Sequence, residues 1–257
     1  MELAFSTWPE IEAYLARSKG IIIPIGSMEQ HGPIGLIGTD ALCAETIAKA
    51  VGKQANILVG PTIALSVAQF NLGFPGTVSL RASTLMALIE DYVRSLARAG
   101  FDRFYFLNGH GANIHAARAA FQDIYASYSL GETAGPGVRC RLRSWWDYPS
   151  VDRMRREWYG DAEGMHATPS EVAITQHAYP DSIRRVDSTP PPAVTAQFIR
   201  NHGGDNHWDA ATHRAAFPDG RVGSDSSLAT PDAGRRLVEA AVTEALADYQ
   251  AFLEEAS

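Results

Sequence analysis

Between residues 29 and 40 the chain reads EQHGPIGLIGTD, one residue after the apolar run GIIIPIGS at 20–27. Glu29, His31 and Asp40 therefore sit on a glycine- and proline-rich loop leaving the end of an expected buried strand. One imidazole and two carboxylates converging there make a donor set suited to divalent metals. A second segment of the same style, RFYFLNGHGAN at 103–113, runs from an apolar strand into a Gly-His-Gly turn that carries His110. Strand ends in a parallel sheet open on one edge, so the two loops can face each other. A carboxylate can bridge two ions ~3.5–4 Å apart, the usual separation in two-metal hydrolases. Taken singly, Glu29 is a loop charge, Asp40 a helix cap and each histidine an ordinary loop residue. Their combination at strand ends leads us to expect a two-metal hydrolase site.

The elements that must position these residues follow from local pattern. Thr7 and Glu10 form a capping box for a first helix running to about Ser18. Gly20 opens the first strand, and Thr39 or Asp40 caps a helix along ALCAETIAKAVG that Gly52 ends. Residues 56–65 read as a second strand, and 66–80 as a long loop rich in Gly, Pro and Asn. A helix from Ser83 to about Ala99 places Leu85, Leu88, Ile89, Tyr92 and Leu96 at helical spacing. Strand RFYFLNG, helix ANIHAARAAFQDIYASY, turn GETAGPG and strand VRCRLRSWW (138–146) come next. From 147 to 181 an Arg-rich stretch leads through a loop into a short helix. Residues 189–227 are irregular and read as a lid or oligomer-contact arm, before a closing helix at roughly 231–254. This rhythm predicts an α/β fold, a mostly parallel central sheet flanked by helices on both faces, in a single domain spanning 1–257.

Composition narrows the partners. Hydrophobic residues make up 46% and charged residues 20% of 257, which argues for a packed core rather than extensive disorder. A formal net charge of −7 disfavours nucleic acid, whose phosphates need a basic face. Two cysteines, Cys43 and Cys140, give no disulfide framework and fit a reducing cytoplasm. The N-terminus has no secretory pattern, and no apolar run approaches the ~20 residues of a membrane span. The expectation is a cytoplasmic protein with no membrane partner.

Several further blocks extend the two loops. GSMEQHGP, the Asp nine residues after its His, FPGT (74–77), LNGHGAN, SWWDY (144–148), the H-x4-E of His166 and Glu171, and SSLATPDAGRRLVEA occur in order along the chain. This ordered set resembles the creatininase family of amidohydrolases over essentially the whole length. The resemblance implies a creatininase-like αβ sandwich, usually a homohexamer. It also implies two divalent ions (Zn or Mn, with Fe an option) and hydrolysis of a C–N bond in a cyclic or linear small-molecule amide by a hydroxide bridging the ions. Mapped by motif, Glu29, Asp40 and His110 hold one ion; His31, Asp40 as bridge, and Glu171 hold the other. His166 is then the acid–base residue serving the leaving nitrogen, its ordinary pKa of ~6.5 being near working pH. Backbone N–H groups of the Gly109–Gly111 turn are additional oxyanion donors on this reading.

The chain also departs from that family. Creatininases proper carry a Glu two residues after the Gly-His histidine, where this chain has Ala112. The member acting on creatinine has a Tyr directly after that histidine and a Trp four residues before the acid–base histidine; here these are Gly111 and Ala162. The aromatic box for a flat cationic ring is depleted, leaving Trp145 and Trp146, one of which is expected to be core. Gly111, Trp145 and Trp146 are the candidate substrate contacts, in a pocket opened toward a larger amide or a peptide end. His202, His207 and His213 with Asp205 and Asp209 resemble a loose metal cluster without a defined zinc spacing, and are better explained as substrate contacts reaching in from a neighbouring subunit. Arg153, Arg155 and Arg156 are either an anion-binding set or a solvated helix face. Cys43 has no base partner in view and reads as packing. Two alternatives stay open beside the amidohydrolase: a metallopeptidase trimming a modified peptide, and a non-catalytic metabolite-binding protein on the same scaffold.

Overall fold

The structure is a computed structural model that describes residues 1–134, 137–187 and 189–255. Positions 135 and 136 of the GETAGPG turn lie outside the described residues. Three parallel strands, β1 (Gly20–Ile25), β2 (Arg103–Asn108) and β3 (Arg139–Ser144), form a sheet in the order β1-β2-β3. Ile25 is level with Asn108, and Asn108 with Ser144, so all three strands end on one edge. β1 and β2 are buried throughout, as near-continuous apolar runs in a sheet covered on both faces should be.

Side-chain alternation divides the core. Ile22, Tyr105 and Leu107 face α2 (Thr39–Ala55) and α9 (Pro231–Glu254) in one cluster. Ile21, Ile23, Phe104 and Phe106 face α3 (Ala82–Ala99) and α4 (Asn113–Ser129) in the other. The remaining helices are α1 (Trp8–Leu15), α5 (Pro149–Tyr159), α6 (Pro169–Ala178), α7 (Ala196–Asn201) and α8 (Ala210–Ala216). α1 carries the Thr7–Glu10 capping box, and α3 buries Leu85, Ile89 and Val93 while Leu88 is exposed.

Three local expectations are corrected. Residues 56–65 form no regular strand. They run beside β1 through isolated parallel bridges at Val59 and Ile63, because Gly60 and Pro61 interrupt the ladder and proline offers no N–H. α2 runs through Gly52 to Ala55 and stops at Asn56, whose φ of 52° is left-handed. Its N-cap is Gly38, which frees the Asp40 carboxylate for the site. Gly26 and Gly109 make that placement possible. A β-carbon on either would collide with the backbone at Asp40–Ala41, so the strand-end loops pack directly on the first turn of α2.

Candidate metal centre

The loop after β1, the first turn of α2, the turn after β2 and the start of α6 meet at the strand-end edge. Glu29 and His31 are fully buried, and Asp40 and His110 nearly so. Asp40 lies between two imidazoles: Oδ1 is 2.9 Å from His31 Nε2 and Oδ2 is 2.9 Å from His110 Nδ1. Ser27 Oγ donates to Oδ2 at 2.7 Å and fixes the rotamer. Glu29 Oε1 lies 3.3 Å from His110 Nδ1 and 3.5 Å from His166 Nδ1. Glu171 Oε1 is 3.8 Å from His31 Nε2.

The three imidazoles are held in one way. Each directs one ring nitrogen to a backbone carbonyl and the other into the site. His31 Nδ1 pairs with the Glu29 carbonyl at 3.0 Å, His110 Nε2 with Val67 at 2.7 Å and His166 Nε2 with Gln30 at 2.7 Å. Such tethers orient metal-binding histidines and fix their tautomer. FPGT contributes Thr77, whose Oγ1 accepts the Gln30 N–H at 3.1 Å and holds the loop that supplies two of these carbonyls.

Ligand atoms gather into three groups within 4.8 Å: Glu29–Asp40–His110, His31–Asp40–Glu171 and Glu29–His31–His166. The first two are the pair of ligand sets that the family resemblance implies, and they share Asp40. The third brings His166, expected as an acid–base residue, close enough to ligate as well. Both carboxylate oxygens of Glu29 are buried without a hydrogen-bond partner. A fully buried carboxylate with no donor is costly unless a cation completes it, so the residues present fit divalent ions.

The electrostatics have the same cause. Burial pushes Glu29 up to about 8, with Asp40 adding to the rise against the pull of His110. Burial also raises Glu171, to about 7. Burial alone would lower His31, but the Asp40 and Glu171 carboxylates reverse that and raise it to about 10. His110 is raised against the same burial by Glu29 and Asp40. Burial and the neighbouring His31 hold His166 well below the usual imidazole range, so it stays neutral. Asp40 is held low, despite burial, by the two imidazoles it touches. In the metal-free protein, protons stand in for positive charge.

Other expected residues are placed more variously. Glu171 also holds the start of its own helix, its Oε1 accepting the Thr168 N–H at 2.5 Å in the capping box of α6. Cys43 is buried, and its thiol donates to the Glu171 carbonyl at 3.4 Å. Trp145 is buried in the core cluster and Trp146 is half-buried; both border a cavity of about 190 Å³ beside Asp40, His110, His166 and Glu171. Gly111 and Arg155 border it too, Arg155 pairing with Glu163 at 2.7 Å, whereas Arg153 and Arg156 are exposed. In the Gly109–Gly111 turn two of the three N–H groups are already used. The Gly109 N–H is used by Ile25 O at 2.8 Å and the His110 N–H by Asn108 Oδ1 at 3.1 Å. His202, His207 and His213 form no ligand group among the described residues and pack instead with Phe70 and Phe198. Sequence reasoning missed Asp205 as a resident of this cavity and Ser27 as the anchor of Asp40. Asp205 was noticed only with the histidines of HGGDNHWDAATH, and nothing in that segment's spacing tied it to the loops after β1 and β2.

Residues 4–248 match the family described as creatininase, creatinine amidohydrolase. The chain belongs to the creatininase family. A mycofactocin precursor peptide peptidase of Mycobacterium ulcerans is 36% identical over 139 residues, which is 51% of this chain and 50% of that protein. The chain thus spans about half the length of that relative. A creatinine amidohydrolase of Pseudomonas putida is 28% identical over 200 residues, 72% of this chain and 75% of that protein. The solved structure "Creatininase Mn" superposes with a TM-score of 0.80 at 24% identity, covering 99% of both chains. At that identity the likeness establishes the creatininase fold and no more.

Proposed function

We propose that this creatininase-family chain, acting as one domain over 1–257, hydrolyses the C–N bond of a linear amide at a centre of two divalent ions. The observation that carries this is the pair of ligand groups sharing Asp40, beside a buried Glu29 whose oxygens have no protein partner. Glu29, Asp40 and His110 would hold one ion, and His31, Asp40 and Glu171 the other. Zinc or manganese suits these mixed nitrogen and oxygen donors. Bound there, the ions would supply Lewis acidity toward a carbonyl oxygen and lower the pKa of the attacking water.

The chain's own groups do the rest. His166 Nδ1 faces the centre from a ring fixed by the Gln30 carbonyl, and it is neutral because it is buried beside His31. A neutral imidazole there takes a proton from the attacking water and passes it to the leaving nitrogen, so proton and leaving group balance. Trp145 and Trp146 line one side of the cavity and Gly111 another, where the absence of a side chain leaves room for an extended substrate. Creatinine fits less well, since Gly111 and Ala162 remove the aromatic enclosure a flat ring would use.

A peptide amide is the favoured linear substrate, supported by the higher identity to the peptidase relative than to the creatinine amidohydrolase. Finer parts of this reading are a homohexamer and a reducing, cytoplasmic setting, the latter supported by the free cysteines Cys43 and Cys140. No helix among the described residues is long and apolar enough to cross a membrane. The test is turnover by metal-loaded protein against creatinine, a small formamide and short peptides, each with and without chelator. Chelator-sensitive cleavage of a peptide or linear amide is expected. Creatinine turnover alone would refute the substrate class, and tight ligand binding without any turnover would favour the metabolite-binding alternative.

A further inference from the structure

The two-ion reading accounts for the loops after β1 and β2 and for α6, but leaves one carboxylate in the cavity unassigned. Asp205 lies on the turn between α7 and α8, far from His110 in sequence. Its Oδ2 is 3.8 Å from His110 Nδ1. That nitrogen is the inward one, because Nε2 is occupied by the Val67 carbonyl. Glu29 Oε1 approaches the same nitrogen at 3.3 Å, fully buried and without a hydrogen-bond donor. Two donor atoms each ~2.1 Å from one ion can be no more than ~4.2 Å apart. The Asp205–His110 separation falls inside that limit, although Asp205 stands outside the three compact ligand groups.

The carboxylate is also built into its place. The Ala112 backbone amide beside it favours the charged carboxylate. Gly111 is the residue beneath it, and a β-carbon there would collide with Asp205 Oδ2. Gly204 backs onto His115, where an added β-carbon would sit 3.0 Å from His115 Nε2. Asp205 has a left-handed φ of 52°, a region that aspartate enters more readily than most side chains. Rings clamp both flanks: His202 stacks on Phe198 at 3.9 Å and His207 packs on Phe70 at 4.8 Å. The histidines of this segment thus fasten the turn, and Asp205 is the group it delivers. Ala112 brings no carboxylate from the His110 loop, and Asp205 of the distant turn adds one beside Glu29 and Asp40 at the same nitrogen.

We propose that Asp205 is a further carboxylate of the metal centre, acting directly or through one water on the ion held by Glu29, Asp40 and His110. The inference rests on the two-ion reading. Its test is a titration of metal-free protein with Mn(II) against a chelating indicator, alongside the visible spectrum of the Co(II)-substituted protein. In Asp205→Asn one class of ion should weaken by about 10–100-fold and its Co(II) bands should shift, while the other class stays within about twofold. Gly111→Ala should weaken the same class with Asp205 intact, because the new β-carbon displaces the carboxylate. Thermal unfolding of each metal-free variant checks that it is folded. Wild type that takes two ions, with both classes unchanged in Asp205→Asn, overturns this inference alone. If KM then rises while metal affinity holds, Asp205 is a substrate contact, and the inference is equally overturned. Wild type that binds no ion overturns the two-ion reading together with this inference.

Discussion

Replacing Glu29 by Gln should stabilise the metal-free protein and cut the stabilisation that metal adds. The side chain is fully buried and neither carboxylate oxygen has a hydrogen-bond partner. Burial, reinforced by Asp40, raises it from 4.5 to about 8, so in the metal-free protein at pH 7 it is protonated when folded and ionised when unfolded. Taking up that proton on folding costs about 3 kcal/mol at pH 7. Glutamine has nearly the same shape and needs no proton, so metal-free Glu29→Gln should be more stable by up to about 3 kcal/mol. For a chain of this size that is a rise of roughly 6–12 °C in Tm. With metal the gain shrinks, because a roughly 10–100-fold loss of affinity removes about 1.4–2.7 kcal/mol. Loss of an anionic donor should weaken the ion by at least about 10–100-fold, and the stabilisation that saturating metal gives falls accordingly. Thermal unfolding of both proteins, in chelator and in excess manganese, measures all four values. A variant destabilised equally in both conditions would mean that Glu29 is satisfied by the protein itself, and its unpartnered oxygens would no longer point to a cation.

Asp40→Asn should abolish high-affinity binding of both ions, whereas Glu171→Gln should lose one; metal content per chain after gel filtration reads the difference, and two retained ions in Asp40→Asn would remove the bridge. His166→Gln should keep both ions and lower turnover by about 10²–10⁴-fold; an ion lost with it would make His166 a ligand, as its place beside Glu29 and His31 permits. The stability difference between metal-loaded and metal-free protein should widen from pH 7.5 to pH 9. Glu29 and His31 have folded values of about 8 and about 10, above their ordinary 4.5 and 6.5, and His110 is raised likewise, so their contribution is present at low pH and is lost as pH rises. Asp40 and His166, shifted downward, have largely finished titrating by then, and bound metal takes the place of the protons; a difference that narrows over this range would contradict the assignment.

Much of this centre could be read in the sequence because its inner part is local. EQHG and NGHG follow the apolar strands β1 and β2, and parallel register alone brings their loops together. α1, α3 and α9 were equally legible, since capping residues and helical spacing are local signals. The interrupted segment at 56–65 looked like a strand because its apolar run outweighed Gly60 and Pro61. Glu171 was expected as a ligand only through the family resemblance, while its capping of α6 went unread although Thr168-x-x-Glu171 is itself a capping signature. The carbonyls of Val67 and Gln30 that orient His110 and His166 have no residue signature at all. The placement of Asp205 beside His110 was out of reach for another reason: it is decided by ring packing around Phe70 and Phe198, contacts between segments far apart in the chain.

The most direct test of the central claim is the metal content of protein purified without chelators and re-equilibrated with zinc or manganese. Two ions per chain, both removed by chelator and restored on metal return, is the result this geometry predicts. One ion would contradict the shared role of Asp40, and none would contradict the metal centre itself.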